Sequence, residues 1–302
     1  MIHRIFAIAL LVFSQALVTG CILKKDLGSK DNPIKISLVP GQSAQVLMDN
    51  SQPLRDWLKK ETGFEFQISV APNYVAVIES LASQRSDFAI LSTFAYLLAQ
   101  EKYEAKALLT ITNLGQTTYK SAIIARADGP KTIRDLNGKK FAFVDPLSSS
   151  GYVLPASLFK EKNIVPKEFV FAGRHDAVVS MVYQGQVDAG AVYYIPPEGG
   201  EPKDARFLVK TQYPDVFQKI KIIELTGDLP NEAFVARKEL SPGLQENIAN
   251  SLIRWVNTDS GKKTLKALYN GDGFKRVDPA AYASARKMLQ TIGKRPEDLL
   301  KK

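Results

Sequence analysis

The chain has 302 residues, with 40 Lys and Arg against 31 Asp and Glu, a single Cys, two His and a formal net charge of +9. One cysteine cannot form a disulfide within the chain, and so few thiol and imidazole groups exclude zinc clusters and iron–sulfur centres. No metal or cofactor is expected. The basic surplus favours anionic ligands or an anionic membrane surface, whereas lysines spread along the chain argue against a nucleic-acid partner.

The first feature in chain order is an apolar run over residues 5–18, preceded by Arg4 and followed by Val18-Thr19-Gly20-Cys21. The run is too short to cross a bilayer and reads as a signal peptide over residues 1–20. The Val-Thr-Gly-Cys ending resembles a lipobox, which makes Cys21 the lipidated first residue; ordinary cleavage beside an incidental cysteine is the alternative. A lipid anchor with more than one acyl chain holds stably to a membrane. The expected location is the cell envelope, in the periplasm or on the outer face of the membrane, with residues 21–32 as a polar tether. Cleavage would leave 282 residues, a net charge of +8 and one histidine, His175, and lipidation of Cys21 would leave no thiol to act as a nucleophile.

From residue 33 onward, apolar strand-like runs alternate with amphipathic helical patterns, the signature of α/β layering. Strands are predicted at 35–39, 64–70, 88–91, 107–114 and 121–126, then at 140–144, 169–172 and 187–193. Helices are predicted at 52–62, 75–83, 94–102, 151–162, 176–184, 244–257 and 282–289. The two series of strands match each other. KISLVPGQS, from Lys35, aligns without gaps with KFAFVDPLS, from Lys140; YVAVIESLASQRSDFAI, from Tyr74, aligns with HDAVVSMVYQGQVDAGA, from His175. The second pair places Tyr74 opposite His175 and Asp87 opposite Asp188. Two segments repeated in the same order predict a duplicated lobe, with chance repetition of a common βαβ pattern as the alternative. Residues 33–125 and 223–302 are assigned to one lobe and 126–222 to the other, joined by two crossings that form a hinge, TTYKSAIIARADG and KIKIIELTGDLP. In such sheets ligands bind where strands end and helices begin.

One such place is the turn Asp145-Pro146-Leu147-Ser148-Ser149-Ser150-Gly151. A helix start offers unpaired N–H groups and the positive end of the helix dipole, so it accepts an anion; serine hydroxyls add donors, and Gly151 permits close approach. A single N-cap serine would serve the helix alone, and the local run leaves both roles open.

DPLSSSGYVLP, AGRHDAVVSMVYQGQVDAGAV and LPNEAFVAR together resemble the phosphate-, phosphite- and phosphonate-binding proteins of ABC importers, over nearly the whole region from Ile34 to Leu289. The resemblance implies a type II periplasmic-binding-protein fold, two lobes each built on an open, mostly parallel sheet flanked by helices, with the ligand in the cleft between them. It implies that Ser148, Ser149, Ser150 and Gly151 hold the oxygens of a phosphorus oxyanion, with donors from His175 and Tyr74. It also implies contacts from Ser92 and Thr93 at a second helix start, less surely because the glycine or tyrosine common there is absent. Glu232 stands where the family carries an aspartate and would accept a P–OH proton that sulfate lacks. Where aminophosphonate binders place a further acid, this chain has Tyr193, Tyr194 and Ile195, which points to a ligand without a cationic tail unless Glu198 moves in. The implied protein is a monomeric, lipid-anchored, non-enzymatic receptor that delivers phosphate, phosphite or a small alkylphosphonate to an ABC permease and its ATPase. A sensory or partner-binding module on the same fold is one alternative. A serine hydrolase using Ser150 and His175 is another, although the run is not a G-x-S-x-G elbow.

Overall fold

The computed structural model describes residues 25–291. The residues read as a signal peptide, Cys21 and the first part of the tether lie outside the described residues. The remainder of the tether is folded: Gly28 N–H donates to Asn32 C=O at 2.8 Å, and Glu65 N–H donates to Gly28 C=O at 2.8 Å. Gly28 has φ 91° and lies against the Phe64 ring, where a β-carbon would collide, so a free linker over the whole of 21–32 is corrected to a turn docked on the first lobe.

The chain begins with β1 (Ile34–Leu38), α1 (Ala44–Thr62), β2 (Phe66–Val70), α2 (Tyr74–Ala82), β3 (Phe88–Leu91), α3 (Thr93–Tyr103) and β4 (Lys106–Thr112). It crosses over to β5 (Thr118–Arg126), β6 (Lys140–Phe143), α4 (Leu154–Lys162), β7 (Glu168–Phe171), α5 (His175–Tyr183), β8 (Ala189–Tyr194), α6 (Val216–Lys219), β9 (Ile220–Leu225) and β10 (Leu229–Pro230). It then returns through β11 (Ala233–Ala236), α7 (Pro242–Trp255), α8 (Asp259–Tyr269), β12 (Gly273–Arg276) and α9 (Ala283–Thr291). The first sheet has the order β12-β4-β11-β3-β1-β2; the second has β10-β5-β8-β6-β7, with β9 also on β5.

The duplication read from the sequence reappears in this order. In the first sheet β1 lies between parallel β2 and β3, and antiparallel β11 follows β3; in the second β6 lies between parallel β7 and β8, and antiparallel β5 follows β8. The paired aspartates do the same work in both halves. Asp87 Oδ2 accepts from Lys35 N–H at 2.9 Å, and Asp188 Oδ2 accepts from Lys140 N–H at 2.8 Å. Each carboxylate therefore satisfies a strand-start donor that the ladder leaves unpaired.

The lobe boundaries differ from those expected. TYKSAIIAR is a strand of the second sheet, as is IKIIEL, so the chain passes between sheets over residues 113–117 and 231–232. β5 is almost wholly buried, and an apolar run buried on both faces reads alike whichever sheet it joins, so the sequence pattern located it in part, at 121–126, but not its partners; β9 is only partly buried and was read as a crossing alone. Asn231 holds the two crossings together. Its Nδ2 donates to Ile111 C=O at 2.9 Å and Gln116 C=O at 3.1 Å, and its N–H donates to Thr117 C=O at 2.9 Å.

Each sheet is covered on both faces. α1, α7 and α8 cover one face of the first sheet, with Leu47, Leu54, Leu58, Ile248, Trp255 and Leu265 buried against Ile34, Ile36 and Leu38. α2 and α3 cover the other face, and their cluster runs on into Leu147, Val153 and Leu154 of the second lobe. This shared apolar layer joins the lobes next to the starts of α3 and α4. α1 begins eight residues before the predicted start at 52. Asp49, Asn50, Ser51 and Pro53 interrupt the apolar pattern there, yet Leu47, Leu54 and Leu58 are buried on one side and keep the helix intact.

Candidate functional site

Three helix starts meet between the lobes. Tyr74 and His175 are the first residues of α2 and α5, at matching places in the repeat, and both line one cavity of about 500 Å³. The lobes are closed on each other around it. His175 N–H donates to Gly41 C=O at 3.2 Å, Phe94 N–H donates to Ser149 Oγ at 3.2 Å, and Thr93 Oγ1 donates to Pro230 C=O at 2.7 Å.

The serine turn opens a wide helical turn over Ser149–Val153 that runs into α4. Ser148 Oγ accepts from Gly151 N–H at 3.1 Å, while the Tyr152 and Val153 N–H groups both donate to Ser148 C=O at 3.1 Å. The cap leaves the Ser149 and Ser150 N–H groups beyond its reach. Gly151 sits against Val144, where a β-carbon would come within 2.4 Å of the valine methyl. No residue other than glycine fits there.

The sequence expects Ser148, Ser149, Ser150, Gly151, Ser92 and Thr93 to face the ligand directly, but none of the six lines this cavity. They lie just behind its wall, buried at the lobe junction. Ser148 hydrogen-bonds with the Tyr74 side chain and Ser150 with the Tyr119 side chain. Ser149 Oγ takes the Phe94 N–H, and Ser92 Oγ donates to Leu147 C=O at 2.9 Å. In the closed form the Ser148, Ser149 and Ser92 hydroxyls are occupied across the interface and that of Ser150 within the second lobe, and Tyr74 and Tyr119 present the corresponding O–H groups to the cavity. Tyr74, His175 and Glu232 all lie on the wall of this one cavity.

The electrostatics of the wall follow from burial. Burial pushes the Glu232 carboxyl up to about 7 and holds the His175 imidazole down to about 3. His175 is therefore neutral near neutral pH. Its Nδ1 accepts from Tyr193 N–H at 3.3 Å, which leaves Nε2–H as the ring's donor. Burial, reinforced by the charges of Asp145 and Glu232, raises the Tyr74 phenol, so it stays a neutral donor. Burial likewise raises Tyr119 and Tyr269, each with Glu232 as the next contributor. The buried Tyr269 hydroxyl has no protein partner, nor does Asn113 Oδ1. A buried polar atom without a partner is costly, and here both belong to residues lining the cavity.

Tyr119, Asn113 and Tyr269 are site residues that the sequence reading missed. Tyr269 sits at the end of α8, which was not predicted, although Thr258 followed by Asp259 gives a helix-start signal: Thr258 Oγ1 accepts from Gly261 N–H at 3.0 Å. Tyr119 lies within the strand mistaken for a crossing.

A family model described as the periplasmic substrate-binding protein of a phosphonate ABC transporter matches residues 36–282. The phosphate-import protein PhnD of Mycolicibacterium smegmatis is 29% identical over 175 residues, 53% of this chain and 54% of that protein, so the match spans about half the relative's length. The phosphonates-binding periplasmic protein of Escherichia coli is 24% identical over 249 residues, 79% of this chain and 71% of that one. Among solved structures, a binding-protein component of an ABC phosphonate transporter from Pseudomonas aeruginosa matches with a TM-score of 0.76 at 20% identity, covering 86% of this chain and 87% of that one. That likeness establishes a common two-lobed fold.

Proposed function

The chain belongs to the periplasmic substrate-binding family of phosphonate ABC transporters, and from that premise we propose that it closes its lobes over a small phosphorus oxyanion and delivers it to an importer. Tyr74 and Tyr119 donate their O–H groups, His175 donates Nε2–H, and the Tyr269 hydroxyl finds in the ligand the partner it lacks in the protein. The Ser148, Ser149 and Ser150 turn, with Gly151, supports the two tyrosines and lends its helix-start field; its hydroxyls turn to the ligand as the lobes open and close. Ser92 and Thr93 register the second helix start against it. Glu232 accepts the P–OH proton of the bound anion. Cys21 carries the lipid, and the membrane-facing partners are the permease and ATPase.

The observation that carries this reading is the convergence of neutral O–H and N–H donors from both lobes on one closed cavity whose sole carboxyl, Glu232, is held near neutral. Neutral donors suit an anion that must be released again, since they stabilise charge without a countercharge to trap it. Ser150 is engaged with Tyr119 and His175 Nδ1 with a backbone amide, so neither activates the other, which supports binding over hydrolysis. The named roles of the mycobacterial and E. coli relatives, phosphate import and phosphonate binding, agree with it.

Calorimetric titration of the purified chain with phosphate, phosphite and methylphosphonate tests the proposal. At least one should bind, and His175→Ala should weaken it by about 1.5–3 kcal/mol, the worth of a hydrogen bond to a charged group. Absence of binding by all three would end it.

A further inference from the structure

The cavity is larger than its proposed occupant. An oxyanion of five heavy atoms displaces on the order of 100–150 Å³ when scaled from the volume of liquid water, against about 500 Å³ of cavity. The surplus extends to a mouth of different chemistry. There Lys203 of the second lobe faces Lys263 and Lys266 of α8 in the first, beside the half-exposed ring of Phe207. Glu198 Oε2 lies 2.9 Å from Lys266 Nζ and 3.5 Å from Lys203 Nζ, so one carboxylate oxygen draws two lysines from opposite lobes together. Lys263 has no ion-pair partner among the described residues. Three cations against one acid leave a positive surplus at the mouth. Glu198 itself does not line the cavity, and Glu232 is the only acidic residue that does.

Resting on the reading that a phosphorus oxyanion occupies the floor, we infer that the ligand bears a short organic substituent ending in a second anionic group, received at the mouth by Lys203, Lys263 and Lys266. The carbon linker lies along Phe207 and Leu268, and the distal anion joins or replaces Glu198 between the lysines of the two lobes. Such a ligand would itself bridge the lobes. A cationic tail meets a surplus of like charge there, and Glu198, expected from sequence as its possible partner, is already committed to the lysines.

The test compares four ligands by calorimetry on the whole chain: methylphosphonate, propylphosphonate, phosphonopropionate and aminopropylphosphonate. Phosphonopropionate should bind roughly tenfold tighter than propylphosphonate, the sum expected of two partly exposed ion pairs, and aminopropylphosphonate should bind weakest. The ratio of the first two affinities should fall toward one in high salt and in the Lys203→Gln, Lys263→Gln double variant. Equal affinity for the carboxylate and propyl tails, or preference for the amine, overturns the inference while leaving the oxyanion reading standing. If none of the four binds, the inference fails, and titration with phosphate and phosphite decides the oxyanion reading separately.

Discussion

Glu232→Gln isolates the one carboxyl of the cavity. Its folded-state value of about 7 stands above the usual 4.5 because burial penalises the charged form. At about 1.36 kcal/mol per unit, ionising it inside the protein costs up to about 3 kcal/mol more than in the unfolded chain. That figure is an upper bound, since the carboxyl lines the cavity and meets water on that side. Below about pH 4.5 both states hold the proton and nothing is lost. Between about 4.5 and 7 the unfolded chain has released it while the folded one keeps it, so stability falls as pH rises, and above about 7 the loss is complete. Urea unfolding of the wild type and the Gln variant, across about pH 4.5 to 8.5, reads this as a difference that cancels every other titration. The variant should gain on the wild type by about 2–3 kcal/mol over that range. Parallel curves would show that Glu232 ionises as freely as a surface acid, and the proton-sharing role given to it would have no basis.

The same carboxyl should sort anions by pH: phosphate should be favoured over sulfate above neutrality, with the preference narrowing in acid as protonated Glu232 becomes able to donate to sulfate, readable by competition titration. His175, held down to about 3 by burial, contributes stability that is present above about pH 6.5 and lost as pH falls toward 3; His175→Gln should flatten that acid limb in unfolding measured across the range. Tyr269→Phe removes a buried hydroxyl without a partner, so it should leave the ligand-free melting temperature unchanged or higher while weakening methylphosphonate binding by about 1–2 kcal/mol. Asn231→Ala removes two buried side-chain hydrogen bonds at the hinge and should cost about 1–3 kcal/mol in denaturant unfolding.

The parts of the fold legible in the sequence are those fixed by local pattern. β1, α2, β3, β6, α5 and β8 carry short apolar runs or apolar faces bounded by turn residues, and the repeat doubled the signal for each. The matching of Asp87 with Asp188 was visible as an alignment, and its cause, a strand-start N–H to be satisfied, needed the structure. What stayed hidden was partnership. β5 was placed in part, at 121–126, but given to the wrong side of the hinge, because residues buried on both faces carry no mark of which neighbour they meet; β9, only partly buried, was read as a crossing and not as a strand. The serines were singled out correctly as unusual, yet only the packing of Tyr74 and Tyr119 against them shows that the closed cavity is faced by phenols.

The two lobes use equivalent positions for unlike groups, Tyr74 in one and His175 in the other, and this asymmetry has a physical consequence. Both side chains open a helix and both are buried, so the helix field and desolvation act on each alike. Desolvation favours the uncharged form of either group, which for a phenol and an imidazole alike is a form that still donates a proton in a hydrogen bond. Each lobe thus contributes a donor that cannot acquire charge near neutral pH, and Glu232, supplied by the hinge, is left as the only ionising group on the floor of the cavity. A cleft built this way would read the protonation state of the proposed oxyanion through one residue, and would leave the lysines of the mouth to act on its outer end without disturbing that reading.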